Sequence, residues 1–155
     1  FEVPYEAGEL TAIGLSGGKE VVRQVLKTTG KPSQIKVSAE KDALSLSNDD
    51  LAYFNVEILD PNGLLVPDAL VPVKFELTGG ILQAVANSNP RDMHSFRQPK
   101  VNTFRGKCQL IVRLEKPGTI HVSAKSEGLD PGEALPPEVA REREEPDTER
   151  RQVRP

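Results

Sequence analysis

The 155-residue sequence is poor in the residues that build most compact chemical sites: it has one cysteine, no tryptophan and two histidines. A single cysteine, Cys108, excludes an internal disulfide and any zinc cluster built from cysteine ligands. Two histidines are a thin supply for a metal centre, and the absence of tryptophan removes the ring that most often stacks on sugars. We therefore expect no metal and no cofactor.

The sequence also lacks a strong charge of either sign and a long hydrophobic run. Its 20 basic and 23 acidic residues leave a net charge of -3, with no basic patch that would attract nucleic acid or an anionic membrane. No apolar run approaches the roughly 20 residues that span a bilayer. These absences argue against nucleic acid and membrane as partners, and the length suits one domain of about 100 to 150 residues with additional segments.

The start of the chain resembles the interior of a domain. Phe1-Glu-Val-Pro-Tyr5 contains neither an initiating methionine nor the basic and apolar stretches of a secretory signal. Two alternating segments, residues 9–15 and 20–27, then flank Ser16-Gly-Gly-Lys19. Because glycine supplies positive φ in tight turns, this pattern predicts a β-hairpin. A hairpin alone is marginally stable in water, so we expect it to be a fragment of a larger sheet.

Residues 33–128 show the period of two that is typical of half-buried strands. Turn residues separate the strands at 60–63, 78–80 and 116–118, and the polar residues His121, Ser123 and Lys125 are expected to face outward. The residues predicted to face the core are Ile35, Val37, Ala39, Phe54, Val56, Ile58, Val71, Val73, Phe75, Leu77, Cys108, Leu110, Val112, Leu114, Ile120, Val122 and Ala124. About seven short strands with such punctuation predict an all-β, immunoglobulin-like antiparallel sandwich.

Two segments do not fit a strand. Residues 86–103 are too long for an ordinary hairpin loop, and long loops are where function concentrates. Residues 130–155 are rich in proline and charge, which predicts a disordered, solvated tail with the option of a short helix at 137–145.

An ordered series of short motifs resembles the C-terminal immunoglobulin-like region of bacterial β-galactosidases of glycoside hydrolase family two. The motifs are Val3-Pro-Tyr5, Gly8-Glu-Leu-Thr-Ala12, Gly18-Lys-Glu20, Thr28-Thr-Gly-Lys-Pro32, Ile35-Lys-Val-Ser-Ala39, Val56-Glu-Ile-Leu-Asp60, Val66-Pro67, residues 87–90, Phe104-Arg-Gly106 and Ser123-Ala-Lys-Ser-Glu-Gly-Leu129. The resemblance covers nearly all of residues 1–129, and no single motif is decisive.

The resemblance implies a division of the chain. Residues 1–30 would be the C-terminal strands of a preceding immunoglobulin-like domain, and residues 31–129 a complete sandwich that is also similar to the invasin-type modules of adhesins. The catalytic domain of the parent chain would be the main partner, and the parent would be periplasmic or extracellular. The family's two catalytic glutamates lie in an upstream barrel, and no position here matches them.

Other candidate chemistry has a simpler structural interpretation. Glu57 and Glu76 fall on outward strand positions and Asp49-Asp50 at a turn, where solvated carboxylates are ordinary. The Asp60-Pro-Asn-Gly63 segment echoes the start of a calcium loop, but a type I turn explains it with fewer assumptions. Cys108 is expected to be buried and inert, because His121 should face the other way.

The candidate site is the long loop. Its residues Asn87, Arg91, His94, Phe96 and Arg97, together with Phe104, are the side chains we assign to a ligand or interface surface. Phe96 and Phe104 are expected to pin the loop to the sandwich; if exposed, they would instead favour binding of carbohydrate or another subunit.

The sequence thus predicts a non-catalytic accessory domain that braces the barrel of a β-galactosidase and shapes substrate access or subunit contacts. A carbohydrate-binding module that uses residues 86–103 is one alternative. An adhesin-type spacer is another, but it would predict a tandem copy, which residues 1–30 do not resemble.

Overall fold

The computed structural model describes residues 4–40, 51–114 and 119–134, and every regular element in these ranges is a β-strand. None of the described residues forms a helix able to cross a membrane. The ten strands are β1 (Glu9–Ser16), β2 (Lys19–Lys27), β3 (Gln34–Ala39), β4 (Leu51–Leu59), β5 (Pro72–Thr78), β6 (Ile81–Ala86), β7 (Lys100–Asn102), β8 (Lys107–Arg113), β9 (His121–Lys125) and β10 (Gly132–Ala134).

Strands β1 and β2 form the predicted hairpin. They pair antiparallel with Leu10 opposite Leu26, and the register shifts after Gly14. The turn places Gly17 and Gly18 at φ values of 57° and 77°, the left-handed region that two-residue hairpin turns require. The glycine pair is therefore the local reason that the chain reverses here.

The remaining strands form two four-stranded antiparallel sheets. One sheet has the order β3-β4-β8-β6 and the other β10-β9-β5-β7. The first sheet and the β10-β9-β5 part of the second reproduce the four-plus-three arrangement of an immunoglobulin constant-type sandwich. Strand β7 is an addition at the edge beside β5. The predicted immunoglobulin-like class is confirmed.

The core lies between the sheets and follows the alternation of the sequence. Along β4, Phe54, Val56 and Ile58 are fully buried, while their neighbours are only partly covered. Leu110 and Val112 on β8 show the same pattern. Successive side chains of a strand point to opposite faces, so a period of two places one set inside.

One polar residue of β9 differs from the prediction. Ser123 lies on the outer face, as its position between Val122 and Ala124 requires, but only 4% of it is exposed. Strand β9 is central in its sheet, and Ser123 is opposite Glu133 on one side and Glu76 on the other. The Ser123 hydroxyl oxygen is buried, and it has no hydrogen-bond partner among the described residues.

The sandwich also extends beyond the predicted boundary at Leu129. Strand β10 pairs with β9 through Gly132, Glu133 and Ala134, and Gly132 is buried. A Cβ atom at Gly132 would stand 2.5 Å from the carbonyl oxygen of Ile35, so the backbone itself fills this position. The interpretation of residues 130–134 as tail was therefore wrong. The rest of the predicted tail and its optional helix lie outside the described residues, as does the turn at 116–118.

Candidate functional site

The long loop connects β6 to β7 and spans residues 87–99. It is shorter than the predicted 86–103 because Lys100–Asn102 joins the sheet beside β5. The loop folds back along β6, where the backbone N–H of Val85 donates to the carbonyl of Phe96 at 2.7 Å. The loop therefore lies against the edge of the sandwich.

Side chains within the loop hold its own backbone. Four of them accept a hydrogen bond from the N–H two positions later, the arrangement that lets Asn, Asp and Ser shape a turn. These bonds run from Asn89 N to Asn87 Oδ1 at 3.0 Å, from Arg91 N to Asn89 Oδ1 at 3.0 Å, from His94 N to Asp92 Oδ1 at 3.0 Å, and from Arg97 N to Ser95 Oγ at 3.3 Å. The loop has a defined conformation without a packed core of its own.

Asp92 is the centre of this network and was not among the predicted site residues. Its carboxylate accepts from the backbone N–H of His94 at 3.0 Å and also contacts Nδ1 of the His94 ring. The Asn87 amide donates to Asp92 Oδ2 and, at 2.8 Å, to the carbonyl of Asn102. The bonds from His94, followed by that from Asn87, lower the pKa of Asp92 to about 2. The carboxylate is thus ionised and fixes the Nδ1 edge of the imidazole. The Nε2 edge of the ring is not part of this contact.

The network borders a cleft of about 490 Å³ on the sandwich surface. Arg91, His94 and Met93 line it from the loop, and Leu70 lines it from the segment before β5. Leu70 is 68% exposed and Met93 is 93% exposed. The cleft is open to solvent and has both apolar and polar walls.

The structure brings together half of the predicted site residues. Asn87, Arg91 and His94 line the cleft, and Phe96 borders a separate small cavity that also touches Asn87 and His94. Arg97 is exposed and lies outside both linings.

Phe104 lies apart from the loop network. It begins the turn between β7 and β8, with the guanidinium of Arg105 located 5.6 Å from the centre of its ring. Phe96 remains 61% exposed, so the expectation that its ring pins the loop was wrong. Its backbone carbonyl, which accepts from Val85, makes the attachment instead.

Other carboxylates have structural partners. Asp60 is fully buried and accepts backbone N–H bonds from Gly30 at 2.8 Å, Asn62 at 2.9 Å and Leu64 at 2.9 Å, which lower its pKa. These bonds stabilise the turn over 60–63, where the N–H of Gly63 also donates to Asp60 O at 3.0 Å. Among the residues placed by the structure, no group of three His, Cys, Asp or Glu side chains could hold a metal ion.

Two further groups follow their predicted environments. Cys108 is buried, and that burial raises the pKa of its thiol to about 12. Glu57 lies on the outer face between Lys107 at 3.0 Å and Lys36 at 3.8 Å. Neither arrangement provides an activated nucleophile or a carboxylate pair.

The hairpin carries the largest set of exposed apolar side chains in the described residues. We call this set the hairpin surface, and its members are between 48% and 67% exposed: Leu10, Ile13, Leu15, Val21, Val22 and Leu26. Leu10 and Leu26 share one face by register, while Ile13 and Leu15 lie on the other. Both faces of this two-stranded ribbon are therefore apolar.

The two sheets, their strand order and the preceding hairpin define an all-β protein of the immunoglobulin-like sandwich class. More specifically, the chain belongs to glycoside hydrolase family 2, because residues 35–134 match the model described as "Glycoside hydrolase family 2 C-terminal domain 5".

Two curated relatives are β-galactosidases. The chain is 36% identical over 131 residues to β-galactosidase BoGH2A of Bacteroides ovatus, covering 83% of this chain and 15% of that protein. It is 32% identical over 126 residues to a β-galactosidase of Thermoanaerobacter pseudethanolicus, covering 81% of this chain and 16% of that one. The chain thus spans roughly a sixth of the length of these relatives.

Two solved glycosidase structures are also similar to this chain over most of its length. The chain superposes on a family 2 glycosyl hydrolase from Bacteroides cellulosilyticus with a TM-score of 0.81 and 32% identity, over 87% of this chain and 19% of that one. A β-glycosidase from Bacteroides vulgatus gives a TM-score of 0.80 and 28% identity, over 88% and 18% of the respective chains.

Proposed function

We propose that this chain is a non-catalytic accessory region of a longer glycosidase, a β-galactosidase, and that it braces the catalytic domain. The observation that carries the proposal is the hairpin surface, whose six large apolar side chains are about half exposed or more. The parent would act on carbohydrate, and its exported location is a proposal that rests on family resemblance alone.

The hairpin surface needs a covering partner. An isolated two-stranded hairpin is marginal in water, and a sheet with one solvated face keeps that face polar. Here Leu26 on one face and Leu15 on the other are both more than 60% exposed. Large apolar side chains exposed in such number mark a contact site. We assign that contact to a preceding domain of the longer protein, to which residues 1–30 would belong.

The arrangement of the acidic side chains supports a non-catalytic role. Retaining glycosidases place two carboxyl groups about 5 Å apart around the bond that is cleaved. Asp60 is committed to backbone N–H groups and Glu57 to two lysines, while Glu76 binds Lys125 at 2.7 Å. Such groups maintain structure, and chemistry would come from the catalytic domain of the parent chain.

A chimera tests the proposal. This chain would replace the matched 131-residue region of the Bacteroides ovatus β-galactosidase, and hydrolysis of a chromogenic galactoside would be measured together with the melting temperature. The variants Leu10→Ser and Leu15→Ser should each destabilise the chimera by about 2 to 5 kcal/mol, because burial there would be lost.

The isolated chain provides the matched control. There the same side chains are exposed, so each substitution should change stability by less than about 0.5 kcal/mol. Equal effects of the variants in the chimera and in the isolated chain would overturn the proposal that a preceding domain covers the hairpin.

A further inference from the structure

We infer that the cleft between Leu70 and the β6–β7 loop binds a carboxylate-bearing sugar, a uronic acid residue of a glycan, with Arg91 as the group that receives the carboxylate. This inference goes beyond the bracing role. It rests on the proposed function in one respect: a ligand that carries the carboxylate is expected to be a sugar because the chain is proposed to belong to a glycosidase.

Hydrogen-bonding capacity in the cleft is weighted toward donors. The Asn87 amide and the Asp92 carboxylate are largely engaged with each other and with neighbouring backbone and ring atoms. Arg91 and His94 line the same cleft, and Nδ1 of the His94 ring contacts Asp92. Within the described residues, the structure assigns no hydrogen bond to the Arg91 guanidinium or to His94 Nε2. A ligand rich in acceptor oxygens complements this set.

Charge favours an anionic acceptor over a neutral one. Among the charged residues that line the cleft, Arg91 is basic and Asp92 is acidic, and the Asp92 carboxylate already accepts from Asn87 and from the His94 N–H. The Asp92 carboxylate is 13% exposed and lies against His94. The planar guanidinium of Arg91 matches a carboxylate with two parallel hydrogen bonds, which a single hydroxyl group cannot accept.

The walls of the cleft suit the rest of a sugar ring. Leu70 and Met93 border it with strongly exposed apolar side chains, which can pack against the C–H face of a pyranose. Methionine is flexible and adapts to irregular shapes. The Arg91 backbone is already fixed by its N–H bond to Asn89 Oδ1, so binding has to order the Arg91 side chain but not the backbone at this position.

Titration of the complete 155-residue chain with two matched ligands tests the inference. Methyl β-glucuronide and methyl β-glucoside differ at one position, a carboxylate in place of a hydroxymethyl group. Calorimetry and amide chemical-shift mapping should show that the glucuronide binds and perturbs residues 87–94, with at least a tenfold advantage over the glucoside.

Arg91→Gln should weaken glucuronide binding by about tenfold, the loss expected for one charge-assisted contact. Arg113→Gln is the matched control, because Arg113 is exposed opposite Ile81, at the other end of β6 from the loop, and should leave binding unchanged. Equal binding of both ligands, or no saturable binding of either, would overturn the inference, as would retained affinity in Arg91→Gln.

The two proposals can fail separately. Glucuronide binding uses the isolated chain and does not depend on the hairpin surface. A chimera unaffected by the hairpin variants would leave a measured glucuronide affinity standing, whereas absent binding with a stable, active chimera would remove only the cleft assignment.

Discussion

The carboxylate of Asp60 accepts a hydrogen bond at 2.8 Å from the backbone N–H of Gly30, which lies 30 positions earlier in the chain. Two further N–H groups of its own turn, those of Asn62 and Leu64, donate to the other oxygen. One fully buried side chain thus connects the β4–β5 turn to the segment between the hairpin and the sandwich. The position of that segment depends on an ionised carboxylate.

Asp60→Asn should therefore destabilise the chain at neutral pH, because an amide replaces one acceptor oxygen by a donor that faces N–H groups. The pKa of Asp60 is lowered from its ordinary 3.8, chiefly by the Gly30 N–H, so its contribution is present above that value and is lost as the pH falls through the folded pKa. Melting temperatures recorded from pH 7 downward should show the wild-type advantage shrinking below pH 3.8. Asp68→Asn, at an exposed position, is the control; a difference that persists undiminished in acid would contradict the assignment.

Asp92→Asn should loosen the β6–β7 loop without unfolding the sandwich. The bonds from His94 depress the pKa of Asp92 to about 2, so the loop network should persist above that pH and be lost as the pH falls through it. Amide exchange and chemical shift of the His94 N–H would report both effects. The melting temperature should barely change, and an equally protected His94 amide in the variant would count against the role of Asp92.

Two glycines with similar backbone angles provide a matched test of packing. Gly63 and Gly106 have φ values of 77° and 73°, so alanine at either position incurs the left-handed cost of about 1 to 2 kcal/mol. A Cβ at Gly63 meets nothing within 4 Å, whereas at Gly106 it would overlap the carbonyl oxygen of Val66. Gly106→Ala should therefore lower the free energy of unfolding by about 1 to 3 kcal/mol more than Gly63→Ala does. Denaturant unfolding measures the difference, and equal losses would show that the turn moves freely away from Val66.

Cys108 should react with a thiol reagent only when the sandwich opens. Burial raises the pKa of its thiol to about 12, and the thiolate is the reactive form. Labelling at pH 8 should be slow in native buffer and fast in denaturant, with a native rate that increases in destabilised variants such as Gly106→Ala. Rapid labelling of the native chain would show that this face of β8 is accessible.

Much of the fold could be predicted because alternation directly reports burial. The inward positions of β4 and β8 follow from a period of two, and the hairpin turn follows from Gly17 and Gly18. Strand β10 could not be found in this way, since Gly132 has no side chain to bury and its backbone fills the space beside Ile35. Ser123 lies on a strand with neighbours on both sides, β10 and β5, and the alternation of β9 alone does not reveal them.

The candidate loop was predictable in position but not in organisation. Its length and lack of alternation selected Asn87, Arg91 and His94, which do line one cleft. Asp92 was missed because its importance comes from hydrogen bonds rather than from a motif. The residue types at Asn87, Asn89 and Asp92 could have predicted the turns of the loop, because Asn and Asp side chains accept a hydrogen bond from the N–H two positions later. Leu70 belongs to another segment, and only the folded structure brings it to the cleft.

Hydrogen–deuterium exchange of the hairpin would test the central claim most directly. Amides of β1 and β2 would be compared between the isolated chain and the chimera with the Bacteroides ovatus β-galactosidase. If the hairpin surface docks onto a preceding domain, these amides should exchange much more slowly in the chimera, while those of β4 and β8 should be protected in both proteins. Equal exchange of β1 and β2 in both would contradict the account and leave the hairpin uncovered.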